Sequence, residues 1–489
     1  MKLLNEYHAR YAQQQTRRHF LKSCSTGLGA MAFGSFLSCT GPNEYTPGVL
    51  NEAQRKASHF LGSAKRVIYL HMAGSPSQLE LFDYKPELNK LHNAPCPASL
   101  LEGRNFAFIS GTPQMLGHQA TFRQQGESGA WVSDFLPHFG SMVDDVCFLK
   151  AMHTDEFNHA PAQLFLYSGS PRLGRPSMGS WITYGLGSEA ENLPGFVVLV
   201  SGGLTPSAGK SVWGSGFLPS VYQGVQCRSE GDPVLYIKDP DGMSRDLRRK
   251  TIDAINQLNQ KEYEQIGDPE ILTRIAQYEM AFKMQVSVPE VMDINREPEY
   301  IHQLYGTEPG KASFANNCLL ARRLAEQGVR FIQLFHWGWD SHGASEDEAL
   351  NGGFIDRCRE VDRPMSALLS DLKQRGLLDD TLIVWGGEFG RTPMRENRLG
   401  VDNRLVGRDH HTDAFTVWLA GGGIKGGLSF GETDEIGYTG VRDRVHVHDL
   451  QATILHTMGL NHEKLTYHFQ GRDFRLTDVR GHVVHPIIA

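Results

Sequence analysis

Short apolar runs and amphipathic stretches alternate along the last third of the chain. Residues 312–327 place Leu319, Leu320, Arg323 and Leu324 in helical register with Gly328 just beyond, which predicts a helix closed by a left-handed glycine. Residues 329–335 (VRFIQLF) follow as a strand. Cys358, Val361, Met365, Leu368, Leu369 and Leu372 then recur at helical spacing, an amphipathic helix ended by Gly376, in which Pro364 belongs to the first turn or produces a kink. Residues 381–385 (TLIVW) and 414–420 (AFTVWLA) are two further strands. Upstream, residues 65–72 (KRVIYLHM) predict a buried first strand that ends in the loop Gly74-Ser75-Pro76-Ser77. The apolar residues 146–149 (VCFL) predict a strand leading to a helix that begins near His159, and residues 245–300 read as a long charged helical insertion packed outside the sheet. Strands alternating with helices predict an α/β fold, a mostly parallel sheet sandwiched by helices.

Composition adds bounds to this picture. The 489 residues are 40% hydrophobic and 21% charged, so the chain has apolar material for a large core and lies far from the polar composition that stays disordered. Seven cysteines, two in the first 39 residues and the others scattered without a CxxC pair, form neither a zinc ribbon nor a disulfide framework. The net charge of −7 carries no basic block, which argues against nucleic acid as a partner. Lys2, Arg10, Arg17, Arg18 and Lys22 face Glu6 alone in the first 22 residues; without these five cations and one anion, −7 becomes −11. An acidic body thus follows a basic head.

That head resembles a twin-arginine export signal. Arg17-Arg18-His19-Phe20-Leu21-Lys22 precedes a small, apolar run at residues 23–37, shorter than the ~20 residues that span a bilayer. Phe36-Leu37-Ser38-Cys39 has the look of a lipobox, so residues 1–39 are read as a signal, with a membrane tether through an acylated Cys39 as its lipoprotein variant. The expected location is the periplasm or cell envelope. Residues 40–62 read as a tether and 63–489 as a single large α/β domain, with no indication of oligomeric state.

Ligands of open parallel sheets lie beyond the carboxyl ends of the strands, which fixes the loops to inspect. They offer Asp340 and His342 after the strand at 329–335, Glu388 and Arg391 after the strand at 381–385, Arg408, Asp409, His410 and His411 ahead of residues 414–420, and Ser75 and Ser77 after the first strand. Imidazoles with carboxylates are the donor types of a divalent metal site. Any one of them alone could equally be a loop hydrogen bond or a cap, as for Asp409. Asn158 and His159 open a predicted helix, where backbone N–H groups favour an anion. Trp339 could pack in the core or stack on a sugar face. Neither GxGxxG nor GxxxxGK[ST] follows a strand, so a nucleotide cradle is disfavoured.

The stretches HMAGSPSQLELFDYKP (71–86), GSPRLGRPSMGSWITYGLGSE (169–189), GWDSHG (338–343), VWGGEFGRTP (384–393), GRDHH (407–411), AGGGIKGG (420–427) and HVHDLQATILHTMGL (446–460) resemble the bacterial family called domain of unknown function 1501. That family is similar to the alkaline phosphatase and sulfatase superfamily, and the resemblance implies an α/β sandwich with a divalent metal site: zinc, manganese or calcium held by Asp340, His342, Glu388 and His410 or His411. It implies Arg391 and Asn158 beside His159 as catalytic groups, and Ser75, Ser77, Arg408 and Trp339 as substrate contacts. Two departures stand out. Met72-Ala73-Gly74 replaces the metal-binding Asp of the first strand, and His159-Ala160-Pro161 places a histidine where sulfatases carry the residue that becomes formylglycine. The implied activity is an exported, metal-dependent hydrolysis of small or polymeric anionic esters, sulfate or phosphate, without formylglycine. The alternative is a non-catalytic module of the same fold that binds polysaccharide or an envelope partner.

Overall fold

The computed structural model describes residues 58–234, 239, 242–398 and 404–489. Residues 1–39, expected from the sequence to be an export signal, and most of residues 40–62, expected to be a tether, lie outside them. Among the described residues no helix is long and apolar enough to cross a membrane.

Among the described residues nine strands build the central sheet: β1 (Arg66–Ala73), β2 (Val146–His153), β3 (Phe196–Ser201), β4 (Val225–Cys227), β5 (Phe331–Trp337), β6 (Thr381–Gly386), β7 (Phe415–Ala420), β8 (Leu428–Phe430) and β9 (Val445–His446). Their order is β8-β2-β7-β6-β1-β5-β3-β4, with β9 also on β2. Every residue of β1 is buried. Cover on both faces is what turns central strands into continuous apolar runs instead of alternating ones. Val67, Tyr69, Phe331, Phe335, Leu382 and Val384 join one core cluster with α1 (His159–Ser168), α2 (Met178–Leu186) and α8 (Val447–Thr457). The opposite side of β3 and β5 meets α6 (Phe314–Glu326), which packs on α7 (Gly353–Gln374). In chain order, α3 (Arg245–Ile266), α4 (Pro269–Met292) and α5 (Glu299–Tyr305) come between α2 and α6.

The chain divides into two compact units, one taking in Lys238–Phe282 and the other Arg55–Ile237 with Lys283–Ala489. Within the first, Arg249 binds Asp253 on its own helix and Glu279 on α4, with Nη2 2.6 Å from Glu279 Oε1. The sheet belongs entirely to the second.

Several strands extend beyond the predicted runs, β2 by four residues to His153. The run FVVLVS of β3 was not predicted, nor was the three-residue β4. Pro364 does not open α7: the helix starts at Gly353, and Pro364 lies in its interior, where the ring removes one backbone donor. The five cysteines of the described body are free and buried.

One strand runs against the others. β7 pairs antiparallel with both β2 and β6, whereas the other pairings of this sheet are parallel. Its amino end therefore lies where its neighbours have their carboxyl ends. The loop ahead of β7 reaches the same rim as the loops behind β1, β2, β5 and β6.

Candidate metal centre

Four of the loop residues converge on that rim. His159, Asp340, His342 and His410 each offer a ligand atom within 4.8 Å of the others. Asp340 Oδ1 is the common point: His342 Nε2 lies 2.7 Å away, His159 Nε2 3.2 Å and His410 Nε2 3.4 Å. Arg391 Nη2 donates to the same oxygen at 2.6 Å.

Local structure explains the convergence. His159 is the first residue of α1, His342 and Asp340 leave β5, and His410 belongs to a two-residue ribbon in which it pairs antiparallel with Arg391. Gly74 turns back at the end of β1 with φ +103, and a Cβ there would lie 2.6 Å from Asp340 N. Only glycine permits that approach. Gly407 packs in the same way against the carbonyl carbon of His342, 1.9 Å from where its Cβ would stand.

Each imidazole is held from behind. His159 Nδ1 lies 2.7 Å from Glu388 Oε1, His410 Nδ1 2.7 Å from the Phe157 carbonyl, and His342 Nδ1 contacts Glu396 Oε2. A carbonyl or a carboxylate can only accept, so Nδ1 carries a proton and Nε2 is the nitrogen that faces the cluster. This is how metal-ligating histidines are oriented. Two further observations fit a cation. His342 Nε2 and His410 Nε2 stand 3.1 Å apart with no proton of their own to share, and His159 Nε2 is buried without an aligned hydrogen-bond partner. The donor set of three nitrogens and a carboxylate oxygen therefore suits a divalent ion.

Electrostatics follow from the same contacts. Burial opposes the charge of Asp340, but the Arg391 guanidinium and the His159 ring outweigh it and hold the carboxyl far below the ordinary range. Burial also opposes charge on His159, yet Asp340 and Glu388 lift its pKa to about 9. Burial, aided by Arg391 and His159, pushes His410 down to about 4 despite Asp340, so that ring is neutral.

The remaining predicted residues support the cluster from outside or lie away from it. Glu388 is wholly buried and stands behind the cluster, taking hydrogen bonds from His159, Gln163 Nε2 (3.0 Å) and Gly74 N (3.2 Å), with His71 Nε2 3.2 Å from its other oxygen. Burial works against its ionisation, but these imidazoles keep it well below the usual carboxylate range. His411 points the other way, its Nε2 on the Tyr438 carbonyl and its ring stacked on Tyr438. Arg408 is sealed in the interior against Glu80, with Nη2 2.7 Å from Oε1, and offers nothing to a substrate. Trp339 is 1% exposed and donates from Nε1 to His336 Nδ1 at 3.1 Å, so it presents no face to a sugar. Ser75 Oγ accepts from the amides of Glu388 and Phe389, and Ser77 is buried. Arg391 spends its guanidinium on Ser75 O, Gly74 O, Arg408 O and Asp340, which makes it an anchor of the carboxylate. Asn158 precedes α1 without a capping side-chain bond.

Sequence reasoning missed Glu396, His71, Gln163 and Phe108. Glu396 forms, with His342 and Asp409, a second buried group whose ligand atoms lie within 4.8 Å. The carboxylate of Asp409 is taken up by the amides of Phe108, Ile109 and His410, which lays the Phe108 ring edge-on to His342 and His410. The sequence signal for Glu396 was the rule that a ligating histidine needs an acceptor behind it.

Fold and site together define an α/β protein with a cluster of three histidines and one aspartate, able to hold a cation, at the carboxyl rim of its sheet. The chain belongs to the family described as Protein of unknown function (DUF1501), whose model matches residues 64–488. Among curated proteins no match is found. Solved structures similar to the chain include the alkaline phosphatase of the Antarctic bacterium TAB5 (11% identity, 82% of this chain and 99% of that one, TM-score 0.34). A sulfatase from Pseudoalteromonas sp. (12%, 84% and 70%, 0.35) and the phosphonate monoester hydrolase of Silicibacter pomeroyi (13%, 87% and 76%, 0.35) are also among them. At these values the likeness assigns no chemistry to this chain.

Proposed function

We propose that the chain is an exported, metal-dependent hydrolase of sulfate or phosphate esters that works without formylglycine. The observation that carries this reading is the inward convergence of three Nε2 atoms and Asp340 Oδ1, each imidazole fixed by its own acceptor. His159, Asp340, His342 and His410 would hold the cation. Three nitrogens with a single carboxylate favour zinc or another first-row ion over calcium, which takes oxygen ligands. When bound, it supplies positive charge that draws in and polarises an anionic ester.

The chain's own residues do the rest. Arg391 fixes Asp340 through Oδ1 and leaves Oδ2 outside that contact set, on a side chain 32% exposed, where it can accept a hydrogen bond from an attacking water. Glu388 fixes the His159 ring. Because both ring nitrogens of His159 face carboxylates, and Ser75 is buried and engaged by two amides, neither offers a free nucleophile at the cluster. Water is therefore the proposed nucleophile. Export follows the twin-arginine route, with Cys39 as the point of lipid attachment if the signal is of the lipoprotein type.

The test is metal analysis of the purified mature chain, followed by assays on aryl sulfates and on phosphate mono- and diesters. One equivalent of a first-row metal, with turnover abolished in Asp340→Ala, is expected. Metal-free protein that stays inactive when zinc or manganese is added refutes the proposal.

A further inference from the structure

A second feature of the carboxyl rim bears on the substrate. A cavity of about 870 Å³ opens at the ends of β3, β4 and β5, lined in part by Ser201, Cys227 and His336. Arg228, Arg357, Arg359 and Arg363 also line it, against two carboxylates, Glu230 and Glu360. Glu360 is already engaged by His336 Nε2 at 2.9 Å and Arg357 Nη1 at 2.8 Å. Arg363 is anchored by the backbone carbonyls of Gln303 and Leu304, which orient its guanidinium without neutralising it. Arg359 pairs with Asp356, and both side chains are largely exposed (73% and 61%). A pair this exposed yields readily to a competing anion. The wall thus carries surplus guanidinium charge on a chain whose net charge is −7. Guanidinium forks match the oxygens of sulfate, phosphate and carboxylate.

The cavity and the metal centre share structural supports. His336 lines the cavity and receives the Trp339 indole N–H one residue before Asp340. The wall at Gly202–Thr205 leads to Ala208, whose amide donates to Gln163 Oε1 at 3.0 Å, while Gln163 Nε2 holds Glu388.

We infer that this cavity is an anion subsite that takes a second sulfate, phosphate or carboxylate of the molecule whose ester is cleaved, so the substrate is polyanionic. The inference rests on the hydrolase reading for its meaning. Its binding test does not. Calorimetry at fixed ionic strength compares sucrose octasulfate with neutral sucrose on the full chain, on Arg228→Ala/Arg359→Ala and on Asp340→Ala. The octasulfate should bind the wild type and the Asp340 variant alike, and the arginine variant at least tenfold more weakly; sucrose should not bind. The charge-retaining pair Arg228→Lys/Arg359→Lys should recover most of the affinity, which separates lost charge from lost folding. Equal affinity of wild type and the arginine variant, loss confined to Asp340→Ala, or no octasulfate binding at all overturns the subsite. Retained octasulfate binding in a protein without metal or turnover sinks the hydrolase reading while leaving the anion site in place.

Discussion

Replacing Arg408 by Met separates a structural role for this residue from a substrate-binding one. Both its side chain and that of Glu80 are 0% exposed; Arg408 Nη2 lies 2.7 Å from Glu80 Oε1, and Nε reaches both carboxylate oxygens at 3.1–3.2 Å. The same guanidinium serves the carbonyls of Gly117 (3.0 Å) and Thr392 (3.2 Å). Arg408→Met leaves Glu80 charged and alone in the interior. Breaking such a pair costs about 3–5 kcal/mol, a large share of the ~5–15 kcal/mol by which domains are stable. At ~1.4 kcal/mol per decade, that shifts the folding equilibrium by roughly two to four decades. Adding Glu80→Leu removes the stranded charge, but the two carbonyls stay unpaired at about 1–3 kcal/mol each, so the double variant should recover only part of the loss. Urea unfolding followed by circular dichroism measures each variant, and the double-mutant cycle gives the coupling. If Arg408→Met keeps the wild-type midpoint and instead raises KM for an anionic ester, the buried-pair account fails and Arg408 returns to the substrate.

Three more predictions follow from the same geometry. Glu396→Gln replaces the anionic acceptor of His342 Nδ1 with a neutral one, and zinc affinity should fall about 10–100-fold in competition with a chromophoric chelator; unchanged affinity removes Glu396 from the site's support. Gly74→Ala puts a Cβ 2.6 Å from Asp340 N at φ +103, so the variant should lose metal and about 1–3 kcal/mol of stability; metal content equal to wild type refutes the close approach. His153 is pushed down to about 4, first by burial and then by Arg444 and His446, against about 6.5 in the unfolded chain. Protonation thus favours unfolding: its stabilisation is complete above about pH 6.5 and is lost as pH falls towards 4, so His153→Asn should show a smaller drop in urea midpoint between pH 7 and 5 than wild type, and an equal drop contradicts the assignment.

How far the sequence could be read depended on which physical constraint wrote each element. Strands β1, β5 and β6 are covered on both faces, so burial alone forces unbroken apolar runs, and those runs predicted them. β3 obeys the same rule in FVVLVS and was legible though not predicted, whereas β4, two half-buried residues and the buried Cys227 at the sheet edge, is too short to leave a pattern to read. The direction of β7 is a different matter. A strand reads alike in either sense, because its orientation is set by where the chain enters the sheet.

That direction and one further periodicity decide the site. Because β7 is antiparallel, the residues before it reach the rim that other strands reach with the residues after them, which brings His410 to Asp340 and His342. Within the two-residue ribbon successive side chains point to opposite sides, so when His410 turns to Asp340, His411 must turn away to Tyr438. The sequence showed two adjacent histidines and left open which of them faced the metal; only the pairing of His410 with Arg391, which itself grips Asp340, fixes the phase. Burial hides the rest for a related reason. A carboxylate that binds a metal and one that holds a ligating imidazole from behind are the same residue type in the same kind of loop, and Glu388 is distinguished from Asp340 only by three-dimensional position: a buried place behind His159 against a 32% exposed one in front of it.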